Sequence, residues 1–446
     1  MTRFSLTAQS ILDLPHNFAL GSKTYPTKAT QMEYVYSICS INMTFIESLT
    51  LMLALMYIAS LSYWSGKKWG AIATLLLSVG AVAISLYWPL AIALAITLPL
   101  CLIANKFAPE ELKGEIKINT LREGCQHLLA LSLFIVAIQY CINAIQLKQG
   151  IVPWLMRPDV ADAFLPIAGG IELKAIVTLN LWDQTHPAAA VMLAAVLLTG
   201  LLCKRAFCGW ACPLGLAGEY LYALRKRFIK AELAPPAWLD WPLRMLKYLL
   251  LLALFYIVIG MPSESIPYYL QGNYHKIADL KMALFFVTPG LITLACFALI
   301  LALAAWRRQG FCRYLCPYGA MLGILSFASP LKIRRDTQHC LIEAKGMKCD
   351  KCTRACPADI IVHTKTTVRS DECQACMRCV AACPKSAALG FGLKSGHRVS
   401  HKCLLVLLLL ALFALPLGAY LAGFWHSQTP DSIRMELIQV IDRVGH

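Results

Sequence analysis

The chain has few charged residues, and acidic ones are the scarcest. Asp and Glu number 25 against 41 Lys and Arg, so charged side chains make up only 15% of the 446 residues. Apolar residues account for 58%, and the mean hydropathy is +0.60. A soluble domain of this length carries far more charge on its surface. The composition therefore excludes an ordinary soluble protein and predicts a polytopic membrane protein.

Two further signals are weak or missing. Residues 1–40 have no continuous apolar core, so no signal peptide is expected there. The net charge of +16 is concentrated in particular loops between apolar runs. That distribution is the positive-inside signature of a membrane protein, so we reject nucleic acid as a partner and expect membrane lipid instead.

Apolar runs that can cross a bilayer recur along the chain. Residues 69–104 would stretch about 54 Å as one helix, against a hydrocarbon core of about 30 Å, so two passes broken near Trp88 are expected. About eight spans result, at 44–64, 70–87, 88–104, 125–147, 187–203, 245–261, 284–305 and 403–425.

The basic loops predict the orientation of these spans. Clusters of Lys and Arg follow the fifth and seventh spans, beginning at Lys204 and Arg307, so both of these helix ends should face the cytoplasm. The loops 148–186 and 262–283 and the N-terminus are then expected on the outer side.

Two cysteine runs carry the strongest chemical signal. A [4Fe-4S] cluster needs four thiolates in roughly tetrahedral directions, and x2 spacing points three successive sulfurs into one pocket. The Cys that precedes Pro reaches the other cluster. The runs are Cys349-x2-Cys352-x3-Cys356-Pro357 and Cys373-x2-Cys376-x2-Cys379-x3-Cys383-Pro384. They predict an electron-transfer module with two [4Fe-4S] clusters.

The first run has no ligand at the upstream x2 position, and the nearest upstream thiol is Cys340. We interpret the insertion 341–348 as a loop. One cluster is then assigned to Cys340, Cys349, Cys352 and Cys383, and the other to Cys356, Cys373, Cys376 and Cys379. A zinc ribbon or a disulfide set is the alternative, although a reducing cytoplasm disfavours disulfides.

A second motif occurs twice, 104 residues apart, as FCGWACPLG at 207–215 and FCRYLCPYG at 311–319. Each copy follows a span that reaches the basic side, so the thiols should converge at one depth. Neighbouring cations are expected to lower the pKa of these thiols and to favour thiolate or metal-bound forms. Burial as small apolar side chains is the alternative. The predicted redox or metal site comprises Cys208, Cys212, Cys312 and Cys316.

A quinone site needs titratable side chains near a membrane interface. On the outer side these are Asp183 and His186, just before the fifth span, and Glu264 and His275, between the sixth and seventh spans. They are selected on position and titratability only, and ordinary surface solvation is the alternative.

The doubled motif followed by a two-cluster module resembles the membrane ferredoxin-type proteins of the NapH and NosR family, over roughly residues 120–400. The resemblance implies a quinol dehydrogenase component of the bacterial inner membrane. Such a component relays electrons between quinone and a cytochrome, a ferredoxin or a reductase subunit. A flavin-bearing periplasmic domain of the NosR kind is not seen, and residues 1–120 add spans. The CcoG family is similar more distantly, so copper or metal reduction, or maturation, through the CxxxCP thiols is the alternative function.

These observations predict an all-α polytopic membrane protein with an inserted small α+β two-cluster ferredoxin-like domain. The predicted units are a tail at 1–43, an extra membrane segment of about three helices at 44–123, a membrane core with both CxxxCP motifs at 124–331, a cytoplasmic iron–sulfur domain at 332–402, the last transmembrane helix at 403–425 and an amphipathic tail at 426–446.

Reporter fusions test the predicted orientation. A reporter fused after Lys394 should report a cytoplasmic position, and one inserted near Gly272 an external position, because Lys and Arg accumulate on the cytoplasmic side. Paired phosphatase and fluorescent-protein fusions measure this. The opposite pair of results would reverse the predicted topology.

Overall fold

The computed structural model describes residues 117–153, 157–231, 235–441 and 443–444. The predicted tail 1–43 and the first three predicted spans lie outside the described residues. The α-helices are α1 (Ile118–Lys148), α2 (Pro166–Leu179), α3 (Pro187–Cys203), α4 (Ala206–Trp210), α5 (Pro213–Phe228), α6 (Ala237–Gly260), α7 (Ile266–Gln271), α8 (Asn273–Lys276), α9 (Ala278–Val287), α10 (Leu291–Trp306), α11 (Gly310–Tyr314), α12 (Pro317–Leu325), α13 (Leu341–Lys345), α14 (Lys351–Arg354), α15 (Arg378–Ala381), α16 (His401–Leu421) and α17 (Asp431–Gln439).

The strands are β1 (Lys332–Arg335) and β2 (Leu389–Gly392), and short 3-10 helices span Asp159–Phe164, Ser263–Ser265 and Val362–Thr364. The two strands pair antiparallel, with Lys332 opposite Gly392 and Arg335 opposite Leu389. Because β1 precedes both cysteine runs and β2 follows them, the ladder closes the iron–sulfur module at its two ends.

Three helices in the described part are long and apolar enough to cross a membrane, namely α1, Trp238–Gly260 within α6, and α16. Helices α9 and α10 form a fourth candidate, but they are bent by 77°. The predicted span 284–305 is therefore not one straight helix. Pro289 explains the break, because it lacks an N–H group and disfavours a helical conformation at the residue before it.

Helix α3 has the bounds predicted for the fifth span, but its 17 residues make it one of the shorter apolar helices. It rises about 25 Å, which is less than the full hydrocarbon thickness. Its N-terminal end adjoins Asp183 and His186, and its C-terminal end leads into the first CxxxCP motif. The helix therefore links the two predicted sites directly.

The iron–sulfur module packs against the helix ends as part of one continuous apolar core. Leu128 of α1 and Leu404 of α16 belong to the same buried cluster as Ile333 of β1 and Phe391 of β2. Burial of this surface drives the module onto the membrane helices. The module is thus fixed in position relative to the CxxxCP motifs.

Buried cations fix the same contact. The Lys204 ammonium donates to the carbonyl oxygens of Val368 and Ser370, each at 3.0 Å. Lys247 of α6 is fully buried and pairs with Glu372. These contacts hold the segment that leads directly into Cys373.

The C-terminal tail packs against the protein. Ile438 and Ile441 are buried with Tyr140 of α1 and Ile277, and Arg434 of α17 pairs with the buried Asp279. The apolar stripe of the predicted amphipathic tail thus contacts α1 and the start of α9.

Candidate functional site

The two motif copies fold into the same local structure. In each, a five-residue helix (α4 or α11) ends, the second Cys adopts an extended backbone, and Pro opens the next helix as its first residue. Cys212 has φ −68 and ψ 122, and Cys316 has φ −69 and ψ 112. A residue before Pro favours this conformation. The sequence repeat is therefore also a structural repeat.

The repeat brings the four thiols together around Arg205. Cys312 interacts electrostatically with the other three thiols, and Cys212 interacts with Cys208 and Cys316. The buried Arg205 guanidinium interacts with Cys208 and Cys312. We call Cys208, Cys212, Cys312 and Cys316 the thiol quartet.

The expected lowering of the thiol pKa values is wrong for the free thiols. Burial, reinforced by repulsion between neighbouring thiolates, raises the pKa of Cys212 to about 12 and that of Cys316 to about 11. Of the neighbouring cations, Lys204 binds backbone carbonyls and Arg313 pairs with Asp240. Thiolates at neutral pH would therefore require a metal ion or cluster to replace the protons.

The structure brings the first predicted cluster set to one cavity, lined by Cys340, Cys349, Cys352 and Cys383. The insertion 341–348, predicted as a loop, contains helix α13, which is followed by Gly346 at φ +62. Cys340 is the residue immediately before this helix. The short helix and its left-handed end fold the insertion back on itself, so that Cys340 reaches the cavity.

A second cavity holds the other predicted set, Cys356, Cys373, Cys376 and Cys379. Ala375 and Met377 have positive φ values of 48° and 56°, which curve the second run around the cavity. Ile333 and Val368 line it with apolar surface. Burial raises the pKa of Cys356 to about 12. Each cavity thus offers the four-thiol donor set that a [4Fe-4S] cluster requires.

Both motif copies touch the walls of the second cavity. The Trp210 Nε1–H group donates to the Ala375 carbonyl oxygen at 3.0 Å, and Arg313 donates to the Ala358 carbonyl oxygen at 3.0 Å. Gly209 is required for this approach, because a Cβ there would lie 2.8 Å from the Gln374 oxygen. The thiol quartet therefore adjoins the second cavity.

Three of the four predicted quinone-site residues meet at the N-terminal end of α3. Asp183 Oδ2 accepts hydrogen bonds from the His186 backbone N–H at 2.7 Å and from His275 Nε2 at 2.9 Å. The His186 ring contacts Asp162 Oδ1 and the His275 carbonyl oxygen at 2.9 and 2.8 Å. Glu264 lies apart from this group, on an exposed 3-10 turn.

The pKa values of Asp183 and His186 are shifted in opposite directions. Burial acts to raise the pKa of Asp183, but the hydrogen bonds and charge of its neighbours, His275 first among them, together lower it below its ordinary value. Burial acts to lower the pKa of His186, but the nearby carboxylates, Asp162 first and then Asp279, together raise it. Both side chains are thus favoured in their charged forms.

This buried polar group has further members that were not predicted from the sequence. They are Glu172, Asp162, Asp279, Arg157 and Arg434, all of them buried or nearly so. Glu172 had a usable signal, since it is a lone acid within the apolar stretch 165–181.

Comparison with known proteins matches the same regions. A family model described as a 4Fe-4S binding domain matches residues 185–232 and 287–335, each of which contains one motif copy. A model described as a 4Fe-4S dicluster domain matches residues 332–384, which contain both cysteine runs. No solved structure matches the chain.

Three of the similar proteins are bacterial. The protein YccM of Escherichia coli strain K12, provisionally assigned to electron transport, is 35% identical over 74% of this chain and 92% of its own length. The ferredoxin-type protein NapH of the same strain is 27% identical over 47% of this chain and 70% of its own length. The regulatory protein NosR of Pseudomonas aeruginosa is 29% identical over 42% of this chain and 24% of its own length. With its apolar helices and two four-cysteine cavities, the chain belongs to the NapH- and NosR-like family of membrane-associated, ferredoxin-type iron–sulfur electron-transfer proteins.

Proposed function

We propose that this protein relays electrons between the quinone pool and a redox partner, and that its two cavities each hold one [4Fe-4S] cluster. Such clusters supply one-electron chemistry when bound. The observation that carries the proposal is the contact of both CxxxCP motif copies with the walls of the second cavity. The segments that carry the thiols therefore connect the apolar helices to the iron–sulfur module.

The thiol quartet adjoins the second cavity, which Cys356 and Cys373 line. Among the described residues, neither motif copy lines the first cavity, which contains Cys340 and Cys349. The first cavity is bordered by three basic residues, Arg335, Lys351 and Lys385. A partner with an acidic surface would be attracted to this end of the module.

On the quinone side, we propose that Asp183, His186 and His275 bind the ring oxygens and exchange protons with them. A buried carboxylate–imidazole pair suits proton transfer to or from a hydroxyl group. The group lies at the opposite end of α3 from the thiol quartet, about 25 Å along the helix. Electrons taken from quinol at this end would need a further carrier to reach the quartet.

Metal handling by the thiol quartet is the second candidate function. The raised pKa values of Cys212, Cys312 and Cys316 favour metal binding over free thiolate chemistry. In that case the quartet would hold or reduce a thiophilic metal such as copper, and the iron–sulfur module would supply the electrons.

Iron and sulfide analysis tests the two-cluster proposal. Anaerobically prepared protein should contain about eight irons and eight sulfides per chain, and Cys376→Ala should lose about four of each. Cys403→Ala is the matched control, because Cys403 is exposed and outside both cavities. Four irons in fully loaded protein would contradict the proposal, and the assignment of Cys340 as a cluster ligand would be the first to re-examine.

Serine substitutions test whether the thiol quartet acts as one unit. Any single replacement should cost nearly as much quinol-linked electron transfer as all four together, because losses within one site are not additive. Iron held by the eight module cysteines should remain, and Cys296→Ser, an exposed control, should behave as the unmodified protein. Full activity in the quadruple variant would mean that the four cysteines only pack as small apolar side chains.

Replacing Asp183 tests the outer quinone site. Asp183→Asn should slow quinol-linked reduction of the iron–sulfur sites by roughly 100-fold, as expected for loss of a proton-transfer group. Glu264→Gln, on the same side but exposed, should have no effect. Unchanged rates in Asp183→Asn and His186→Gln would instead favour a quinone site at the cytoplasmic end, beside the thiol quartet.

A further inference from the structure

Two carboxyl groups face each other inside the protein at the outer end of α3. Glu172 of α2 is 1% exposed and Asp183 is 5% exposed, and His275 beside them is fully buried. One nitrogen or oxygen atom from each of the three side chains lies within 4.8 Å of the others. Two negative charges this close and this deep would repel each other strongly.

The two carboxyl groups differ in their contacts. Asp183 Oδ2 accepts two N–H groups, from the His186 backbone and the His275 ring. Glu172 Oε2 accepts only the Ala190 backbone N–H, at 3.0 Å, and its Oε1 atom has no hydrogen-bond partner within the described part of the chain. Asp183 is therefore held as an anion, whereas Glu172 retains a free oxygen.

The neighbouring cations are already paired with other acids. Arg157 pairs with Asp162 and, at 2.7 Å, with Asp279. Arg434 also pairs with Asp279, and the His186 ring pairs with Asp162 at 2.9 Å. Among the described residues, none of these cations contacts Glu172. Its charge would be buried without compensation, which is strongly unfavourable.

We propose that Glu172 and Asp183 share one proton at neutral pH, held on Glu172 Oε1, and that this carboxyl pair is the proton-exchanging element of the outer site. The inference rests on the proposed function and adds to it the residue that carries the proton. Aspartic proteases use the same principle, since two adjacent carboxyl groups cannot both ionise.

The surroundings of Glu172 favour its neutral form. Burial, and then the charges of Asp183 and Asp162, raise the pKa of Glu172 well above its ordinary value. The other titratable or charged groups that face this site are His275, Tyr269, His186, Asp279 and Arg157.

Oxidation of a quinol to a quinone releases two protons and two electrons. Under the proposed function a further one-electron carrier would pass the electrons to the two [4Fe-4S] clusters, one to each. Glu172 gives its proton to the outer water and receives one quinol proton in its place. His186, hydrogen-bonded to Asp162, passes on the second proton. Both side chains end each turnover as they began it.

The shared proton has a measurable effect on stability. The folded protein binds a proton on Glu172 that the unfolded chain releases above a pKa of about 4.3, so stability falls as pH rises through that range and toward the raised folded pKa. The thermal midpoint of detergent-solubilised protein should therefore fall between about pH 5 and pH 8, and fall less in Glu172→Gln. His186 acts in the same direction, so the comparison between the two proteins isolates Glu172.

Infrared difference spectroscopy on the full chain tests the proposal directly. The unmodified protein should show the C=O stretch of a neutral carboxylic acid at pH 7, with a shift in deuterated water. Glu172→Gln should remove this band, and Glu264→Gln, an exposed acid on the same side, should retain it. Glu172→Gln should also flatten the pH profile of quinol-linked reduction, and Glu172→Asp should restore part of it.

Several outcomes would overturn the inference. If the unmodified protein shows no neutral-acid band, or if the band survives in Glu172→Gln, Glu172 does not hold a shared proton. One divalent cation per chain that is lost in Glu172→Gln would place a metal there instead. A lost band with an unchanged pH profile would make the proton purely structural. Where Glu172→Gln does not fold, Asp183→Asn should shift the band. Absence of quinol-linked reduction in the unmodified protein would contradict the proposed function, while the band still tests the carboxyl pair.

Discussion

Buried cations at the ends of the apolar helices hold the iron–sulfur module in place. Lys204 donates to two backbone carbonyls of the module, and Lys247 pairs with Glu372. A buried ammonium group is tolerated only with such partners, and removing one partner leaves an uncompensated charge that costs about 3–5 kcal/mol. Because the bound segment runs directly into Cys373, the position of the second cavity, and with it the contact to the thiol quartet, depends on these ion pairs and hydrogen bonds.

The same cations explain why the thiols are not activated by charge alone. In the sequence, Lys204, Arg205 and Arg313 are immediate neighbours of the CxxxCP cysteines. In the structure all three bind the module, and only Arg205 also faces the thiols. Desolvation then dominates, as it does whenever a titratable group is buried with too few counter-charges. Sequence proximity is therefore a poor guide to electrostatic effect where long Lys and Arg side chains can reach in several directions.

The cysteine sets could be predicted from the sequence because local spacing determines them. An x2 spacing curves the chain around one pocket, and the Cys-Pro positions cross over, so the structure gathers the predicted groups of four. Features set by tertiary contacts were not predictable in this way. The bend between α9 and α10 lies in an otherwise uniform apolar run that only Pro289 interrupts. Glu172 lies beside Asp183 only because α2 packs against the start of α3.

The two ends of α3 divide the chemistry of the protein. At its N-terminal end, carboxyl and imidazole groups are close enough to share and pass protons. At its C-terminal end, thiols and the cysteine-lined cavities provide sites for electrons. The helix keeps these ends about 25 Å apart, and its mostly apolar side chains offer no path for protons or ions between them. In the proposed function, a lipid-soluble quinone, which carries electrons and protons together, would connect the chemistry of the two ends.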